Sequence, residues 1–214
     1  MDGNTCRISI GTDIAVSKGI FAVCSAGNSG SSPWNFIGAP ADADSVLAVG
    51  AVDSLGNNAG FSSNGPTYDG REKPNVAAQG QDAVVADPGA GGIAHLSGTA
   101  FACPITAGMV ACLWQANPSS TNMQLFNAIQ QTAGQFNNPD TLLGYGIADF
   151  CAANNVLSVP DNAVSVADML AVYPNPFHTE SLIEIRDAGM GMKNLQVEIY
   201  DMLGKVILQT QIQT

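Results

Sequence analysis

The stretch Ser97-Gly98-Thr99-Ala100-Phe101-Ala102-Cys103-Pro104-Ile105-Thr106-Ala107-Gly108 has the form of a helix start built to present a reactive side chain. The first N–H groups of a helix lack intrahelical partners and attract negative charge, so the backbone at Ala100 is suited to hold an anion. The side chain there is a methyl group. It has no lone pair to attack a carbonyl and no proton to pass to a base, so covalent catalysis through this position is closed. Ser97 and Thr99 are near in sequence, but on a helical turn they point roughly 300° and 100° away from Ala100. Neither replaces it.

Other groups able to move protons or hold metals are sparse. There are two histidines, His95 and His178, and five cysteines, Cys6, Cys24, Cys103, Cys112 and Cys151. An odd number without metal-type spacing indicates neither a disulfide framework nor a zinc site. Cys103 and Cys112 stand about 180° apart round one expected helix, so they cannot bridge each other. The thiols read as small buried side chains. Asp42, Asp44, Asp53 and Asp69 read as loop and turn carboxylates. No cluster of carboxylates has calcium-ligand spacing, so no metal and no cofactor is assigned.

These residues sit in a chain of 214 residues with 46% hydrophobic and 12% charged side chains, a globular composition with room for one sizeable domain and a small second one. Seven Lys+Arg against 18 Asp+Glu give a net charge of −11, which repels phosphate backbones and anionic lipid headgroups. Nucleic acid is therefore not an expected partner. No apolar run is expected to reach the roughly 18 to 20 residues of a membrane span. The N-terminal residues do not read as a signal peptide, so any export signal lies elsewhere.

The residues from Thr5 to Lys18 carry Ile10, Ile14 and Ala15 at helical spacing and stop at Gly19, a suitable residue just past a helix end. A buried strand is expected over Ile20–Ser25 and a second over Val46–Val52, both continuous apolar runs of the kind found in parallel sheets. Ala83–Asp87 reads as a third. A helix from Thr99 to about Ala116 tolerates Pro104 in its first turns, and another begins after Ser119 or Ser120 with Met123, Phe126 and Ile129 on one side. Asn154–Asp168 has no helical period and reads as a linker. Beyond it the pattern alternates apolar and polar residues, with a Met202-Leu203-Gly204 turn, as in a small antiparallel β module.

Four stretches in order carry a resemblance: "CSAGNSG" (24–30), "VLAVGAVD" (46–53), "FSSNGPTYDGREKPNVAAQG" (61–80) and "SGTAFACPITAGMVA" (97–111), with "GYGIAD" (144–149) after them. Together they resemble a subtilisin-like (subtilase) serine peptidase over residues 1 to about 153. The tail "VYPNPF…SLIEI…LQVEIYDMLGKVI" resembles the C-terminal sorting module of the type IX secretion system. These resemblances imply an α/β fold: a partial subtilisin-like parallel-sheet domain with flanking helices at 1–153, a linker at 154–168, and an incomplete antiparallel, sandwich-like β module at 169–214. They also imply a bacterial protein that is secreted or held at the cell surface, with a peptide or protein as substrate and the secretion machinery as partner.

In the family the helix-start motif reads Gly-Thr-Ser-x-Ala-x-Pro, and the serine is the nucleophile. Here that frame is Gly98-Thr99-Ala100-Phe101-Ala102-Cys103-Pro104, so Ala100 stands at the nucleophile position. The family's catalytic Asp and His precede the Ala-Gly-Asn segment, on elements not found in this sequence, and neither His95 nor His178 sits in a matching motif. Asn28 matches the oxyanion-hole asparagine. Ser25, Ala26 and Gly27 resemble the wall of the specificity pocket, Gly38 its floor, and Gly98 and Thr99 lie against the substrate. One departure is Ala78-Gln79-Gly80 where the family has Ala-Pro-Gly. The expected function is that of a fragment of a secreted serine endopeptidase, inactive as it stands. The alternatives are a non-catalytic pseudopeptidase that binds extended peptides, a cargo or structural fragment, and an engineered Ser→Ala protein.

Overall fold

The computed structural model describes residues 1–87, 89, 91–158, 170–173, 182–185, 195–200 and 205–212, in two compact units, Met1–Val159 and Pro160–Thr214. The first unit is built on a parallel sheet of β1 (Val23–Ser25), β2 (Leu47–Val52) and β3 (Val76–Gln79), in that spatial order. β2 is central, and all six of its residues are buried. That is why its sequence reads as an unbroken apolar run. The helices are α1 (Arg7–Ser17), α2 (Thr99–Ala116), α3 (Asn122–Gln131) and α4 (Phe150–Ser158). α2 packs across all three strands, and its Ala102, Val110 and Leu113 meet Leu47, Val49 and Val76 from the sheet and Leu125, Phe126 and Ile129 from α3.

Caps fix where the helices stop and start. α1 ends as its sequence suggests, with Gly19 at φ 90°. α3 begins at a reciprocal cap: Gln124 N–H donates to Thr121 Oγ1 at 3.2 Å and Thr121 N–H donates to Gln124 Oε1 at 2.8 Å. Thr121 is thus the cap in place of Ser119 or Ser120, because only from Thr121 does a glutamine fall three residues on. α4 is capped by Asp149, whose Oδ1 accepts from Ala152 N–H at 2.9 Å. That cap carries residues 154–158, expected to open a linker, into the helix. Residues 159–168 lie outside the described residues.

Three further expectations are corrected. Ala83–Asp87 is not a parallel strand: β4 (Ala83–Ala86) forms an antiparallel pair with β5 (Ile93–Leu96), because a short turn joins them. The third parallel strand is Val76–Gln79, hidden in sequence behind Pro74 and Asn75. β1 is half-buried, since among the described residues it pairs with β2 alone. Finally, α2 is itself 18 residues long with a mean hydropathy of 1.3, enough by length and composition to cross a membrane. Here it is the core helix of the domain.

The second unit contains two antiparallel pairs, β6 (Leu170–Tyr173) with β7 (Leu182–Ile185) and β8 (Leu195–Tyr200) with β9 (Val206–Ile212). The alternating pattern of the tail is therefore realised as strands. His178 and the Met202–Gly204 turn lie outside the described residues.

Polar side chains hold the loops at the N-terminal rim of the sheet. Lys73 is 1% exposed, and its Nζ donates to Val46 O at 2.7 Å and to Asn75 Oδ1 at 2.8 Å. The same Asn75 oxygen accepts from Ala48 N–H at 2.8 Å. Asp42, also buried, accepts from Gly3 N–H at 3.0 Å and Ser9 Oγ at 2.6 Å, tying α1 to the loop before β2. Burial, the largest influence on Lys73, holds its pKa down to about 7. The unfolded lysine keeps its ordinary value, so between pH 7 and 10.5 the unfolded chain binds a proton that the folded chain has lost. Folding stability from this group therefore rises with pH across that window and is lowest below pH 7, with a slope of at most about 1.4 kcal/mol per pH unit. Urea unfolding at pH 6.5 and 9.5 should show this gain, and Lys73→Met should remove it. An unchanged pH dependence in the variant would contradict the assignment.

Candidate active site

The site is assembled where β1 ends and α2 begins. After Ser25, Ala26 N–H donates to Val49 O at 2.9 Å and keeps the chain on the sheet for one more residue. Gly27 then turns it at φ 109°, a conformation that suits glycine. A Cβ at Gly27 would also stand 2.8 Å from Ser63 Oγ. The turn is clamped by the loop after β2: Ser63 N–H donates to Gly27 O at 2.9 Å, Ser29 N–H to Ser63 Oγ at 3.0 Å, and Gly30 N–H to Phe61 O at 2.9 Å.

Held in this turn, the Asn28 side chain reaches the first residue of α2. Its Oδ1 accepts from Thr99 N–H at 2.9 Å and from Thr99 Oγ1 at 2.9 Å, and Gly27 N–H donates to Thr99 Oγ1 at 3.2 Å. With its oxygen occupied, the side chain must present its NH₂ group on the other side. Asn28 and Ala100 are both solvent-exposed, so this amide and the helix N-terminus open outward. Gly98, between β5 and α2, is buried, and a Cβ there would contact Asn28 Nδ2 at 3.4 Å and crowd the space in front of the amide.

Ser25, Ala26, Gly27 and Asn28 thus meet Gly98 and Thr99 at one edge of the sheet, with Ala100 following. Gly38 lies on the segment that pairs with Asn64 through Phe36, and the space beside its Cα is open. His95 Nδ1 is 3.3 Å from Asp82 Oδ1 on the β4–β5 hairpin, both side chains exposed, and Asp82 N–H donates to Ser97 Oγ at 3.0 Å. One contributor escapes a reading of the sequence alone: Ser63 is one serine of a Ser62-Ser63 pair, with no local signal that it clamps the turn. Thr99, expected against the substrate, is buried with its hydroxyl on Asn28.

The cysteines divide by exposure. Burial pushes the Cys24 thiol up to about 11, the nearby Cys103 adding to this, and also raises Cys103. Neither offers a thiolate nucleophile at neutral pH. Cys112 and Cys151 are exposed, contrary to the expectation of buried thiols, because they lie on the outward sides of α2 and α4. Among the described residues no group of three His, Cys, Asp or Glu side chains could hold a metal ion.

The model of the subtilase family matches residues 2–146. The chain belongs to the subtilase family. A secretion system C-terminal sorting domain matches residues 171–214. Among curated subtilases, Subtilisin BL of Lederbergia lenta is 36% identical over 139 residues, which is 65% of this chain and 48% of that protein. Subtilisin DY of Bacillus licheniformis is 41% identical over 122 residues, 56% of this chain and 42% of its own length. Among solved structures, the self-cleaved protease domain of PatA superposes with TM-score 0.59 at 28% identity, covering 74% of this chain and 58% of that one. The prenylagaramide maturation protease PagA gives TM-score 0.60 at 27% identity, covering 73% and 58%. The chain therefore spans between a third and a half of the length of the curated relatives it matches.

The contact between Asn28 and Thr99 can be tested directly. Thr99 is buried, so Thr99→Val removes one donor to Asn28 and leaves the Gly27 N–H without its acceptor. The expected cost is about 1–3 kcal/mol in urea unfolding. A variant as stable as the parent would show that the hydroxyl is not holding the turn.

Proposed function

We propose that residues 1–153 of this subtilase form part of the catalytic domain of a secreted serine endopeptidase, and that this chain holds the anion cradle of that reaction without performing it. The observation that carries this reading is a methyl side chain at Ala100, on the N-terminus of α2, beside an Asn28 whose amide is oriented by Thr99.

Acyl transfer needs an attacking oxygen, a base for its proton and donors for the oxyanion. In this reading the Asn28 NH₂ and the Ala100 N–H are the donors. Ser25, Ala26 and Gly27 form one wall of the site for the substrate residue before the cleaved bond, and Gly38 forms its floor. One such donor contributes about 10²–10³ in turnover, a magnitude known from subtilisin itself and not from this chain. Donors alone lower no barrier when nothing attacks. His95 and Asp82, paired on the exposed hairpin, belong to no motif that would direct them at Ala100.

The domain division proposed is a peptidase part that runs through the end of α4 at 158, a linker after it and the sorting module from 169 to 214. The sorting-domain match supports export of a bacterial protein by the type IX machinery, with a peptide or protein as the ligand. A second reading, a pseudopeptidase that binds an extended peptide without cutting it, is favoured by the same pairing of intact donors with Ala100. A strand end bordered by small residues suits main-chain recognition of this kind.

Casein hydrolysis and fluorophosphonate labelling should both be negative for this chain and should remain negative in Ala100→Ser, since the base is missing. Turnover in either protein would overturn the proposal. For the binding reading, calorimetric titration with an extended peptide should give measurable affinity that falls at least tenfold in Asn28→Ala. Equal affinities would remove it.

A further inference from the structure

The five cysteines differ in their surroundings. Cys24 on β1 and Cys103 on α2 are half-buried, and burial holds both thiols above their ordinary value, which leaves them little thiolate. Cys6 stands at the start of α1. Cys112 and Cys151 are exposed, and both line one groove of about 400 Å³ between α2 and α4, with Met109 and Phe150 beside them.

The two helices are fixed against each other at this groove. Val110 and Leu113 of α2 pack with Ala153 of α4 in the core, and Asn117 Nδ2 donates to Asn154 Oδ1 at 2.9 Å. They also run in the same sense. α2 starts beside the turn that follows β1, since Thr99 N–H donates to Asn28 Oδ1. α4 follows a segment that runs parallel to β3, where Ile147 bridges Ala77 and Ala77 N–H donates to Gly146 O at 3.0 Å. Both helices therefore leave the same end of the sheet. With the Asn117–Asn154 bond as the common level, Cys112 lies five residues before it and Cys151 three, about 7.5 Å and 4.5 Å at the rise of a helix. The two thiols thus stand within about 3 Å of each other along the helix direction. Helices packed at the usual ~8–10 Å bring facing Cα atoms into the range of roughly 4.4–6.8 Å that a disulfide spans. A bond here would also fasten an element that needs it: α4 is nine residues long with only Ala153 fully buried, so its hold on the unit is thin.

We propose that Cys112 and Cys151 form a disulfide that staples α4 to α2. The oxidant is a small or protein disulfide, RSSR, of the glutathione or thiol–disulfide oxidoreductase class. The Cys112 thiolate attacks one sulfur of RSSR and releases RS⁻, and the Cys151 thiolate then attacks the Cys112 sulfur of the mixed disulfide and releases the second RS⁻. The two protons lost by the cysteines end on two RSH, so the protein gives up two electrons and RSSR takes them. Cys6, Cys24 and Cys103 stay free. The inference rests on the export reading only in taking the chain to an oxidising compartment. The test supplies the oxidant itself, so its failure is separate from a failure of export.

The reduced full chain is incubated with oxidised glutathione at mildly alkaline pH, both folded and in concentrated urea, then unfolded, alkylated with iodoacetamide and cut with chymotrypsin. Mass spectrometry should find one bridged Cys112–Cys151 peptide pair, two hydrogens lighter than its separate thiols, with the other three cysteines alkylated. Bridging should be at least tenfold faster in the folded chain than in urea. Hydrogen exchange of the α4 amides should slow at least tenfold on oxidation, and Cys151→Ser, a substitution at an exposed position, should abolish that slowing. Glutathione adducts at both cysteines without a bridge, a bridge between any other pair or between two chains, equal rates in urea, or unchanged exchange in the bridged chain would each overturn the proposal.

Discussion

A single amide oxygen, Asn28 Oδ1, joins two parts of the chain 71 residues apart by accepting from both the N–H and the hydroxyl of Thr99. Two donors on one oxygen fix the rotation of the side chain as well as its position. The NH₂ group is left facing away from the helix as a consequence. Much of the first unit serves to bring these two residues to that distance. The parallel pairing of β1 with β2 sets where the strand ends, the loop after β2 clamps the turn through Ser63, and the packing of α2 across the sheet delivers Thr99. Strain at Gly27 is avoided by the absence of a Cβ that would meet Ser63 Oγ.

At the opposite rim of the sheet the same economy of polar groups appears without any opening to solvent. Asn75 Oδ1 serves both Ala48 N–H and Lys73 Nζ, and Lys73 in turn reaches Val46 O. Side chains here take the place of strand ladder bonds where the loops enter β2 and β3. Burying an amine costs energy unless its donors are satisfied, and the lowered pKa of Lys73 is the form that cost takes. One rim is thus closed around Lys73 and Asn75, whereas the other leaves an oriented amide exposed.

The sequence made the central strand and the long helix legible for a simple reason: Val46–Val52 is a continuous apolar run and Thr99–Ala116 carries no charged residue, and the helix packs across all three strands of the sheet. It failed where tertiary context decides. Val76–Gln79 is four residues long and follows a proline, so nothing local distinguishes it from a loop. Ala83–Ala86 has strand character but joins a hairpin, since its partner Ile93–Leu96 lies only a turn away. The helix at 150–158 follows from Asp149 acting as a cap, a role that a glycine-rich approach obscured. At the site, Asn28, Gly98 and Thr99 stand out as motif letters, but their meeting and the direction of the amide are matters of hydrogen bonding, which no spacing reports.

In the reading proposed, alanine at position 100 leaves this scaffold intact because the backbone donor there does not depend on the side chain the residue carries. The donors at a helix N-terminus are backbone groups, present whatever side chain the residue carries, and alanine is the residue most at ease in a helix. Asn28 is oriented by the backbone N–H and hydroxyl of Thr99, not by the side chain at 100. A serine there would add one oxygen at an exposed position. A likeness of fold to subtilases therefore does not report which side chain stands at position 100.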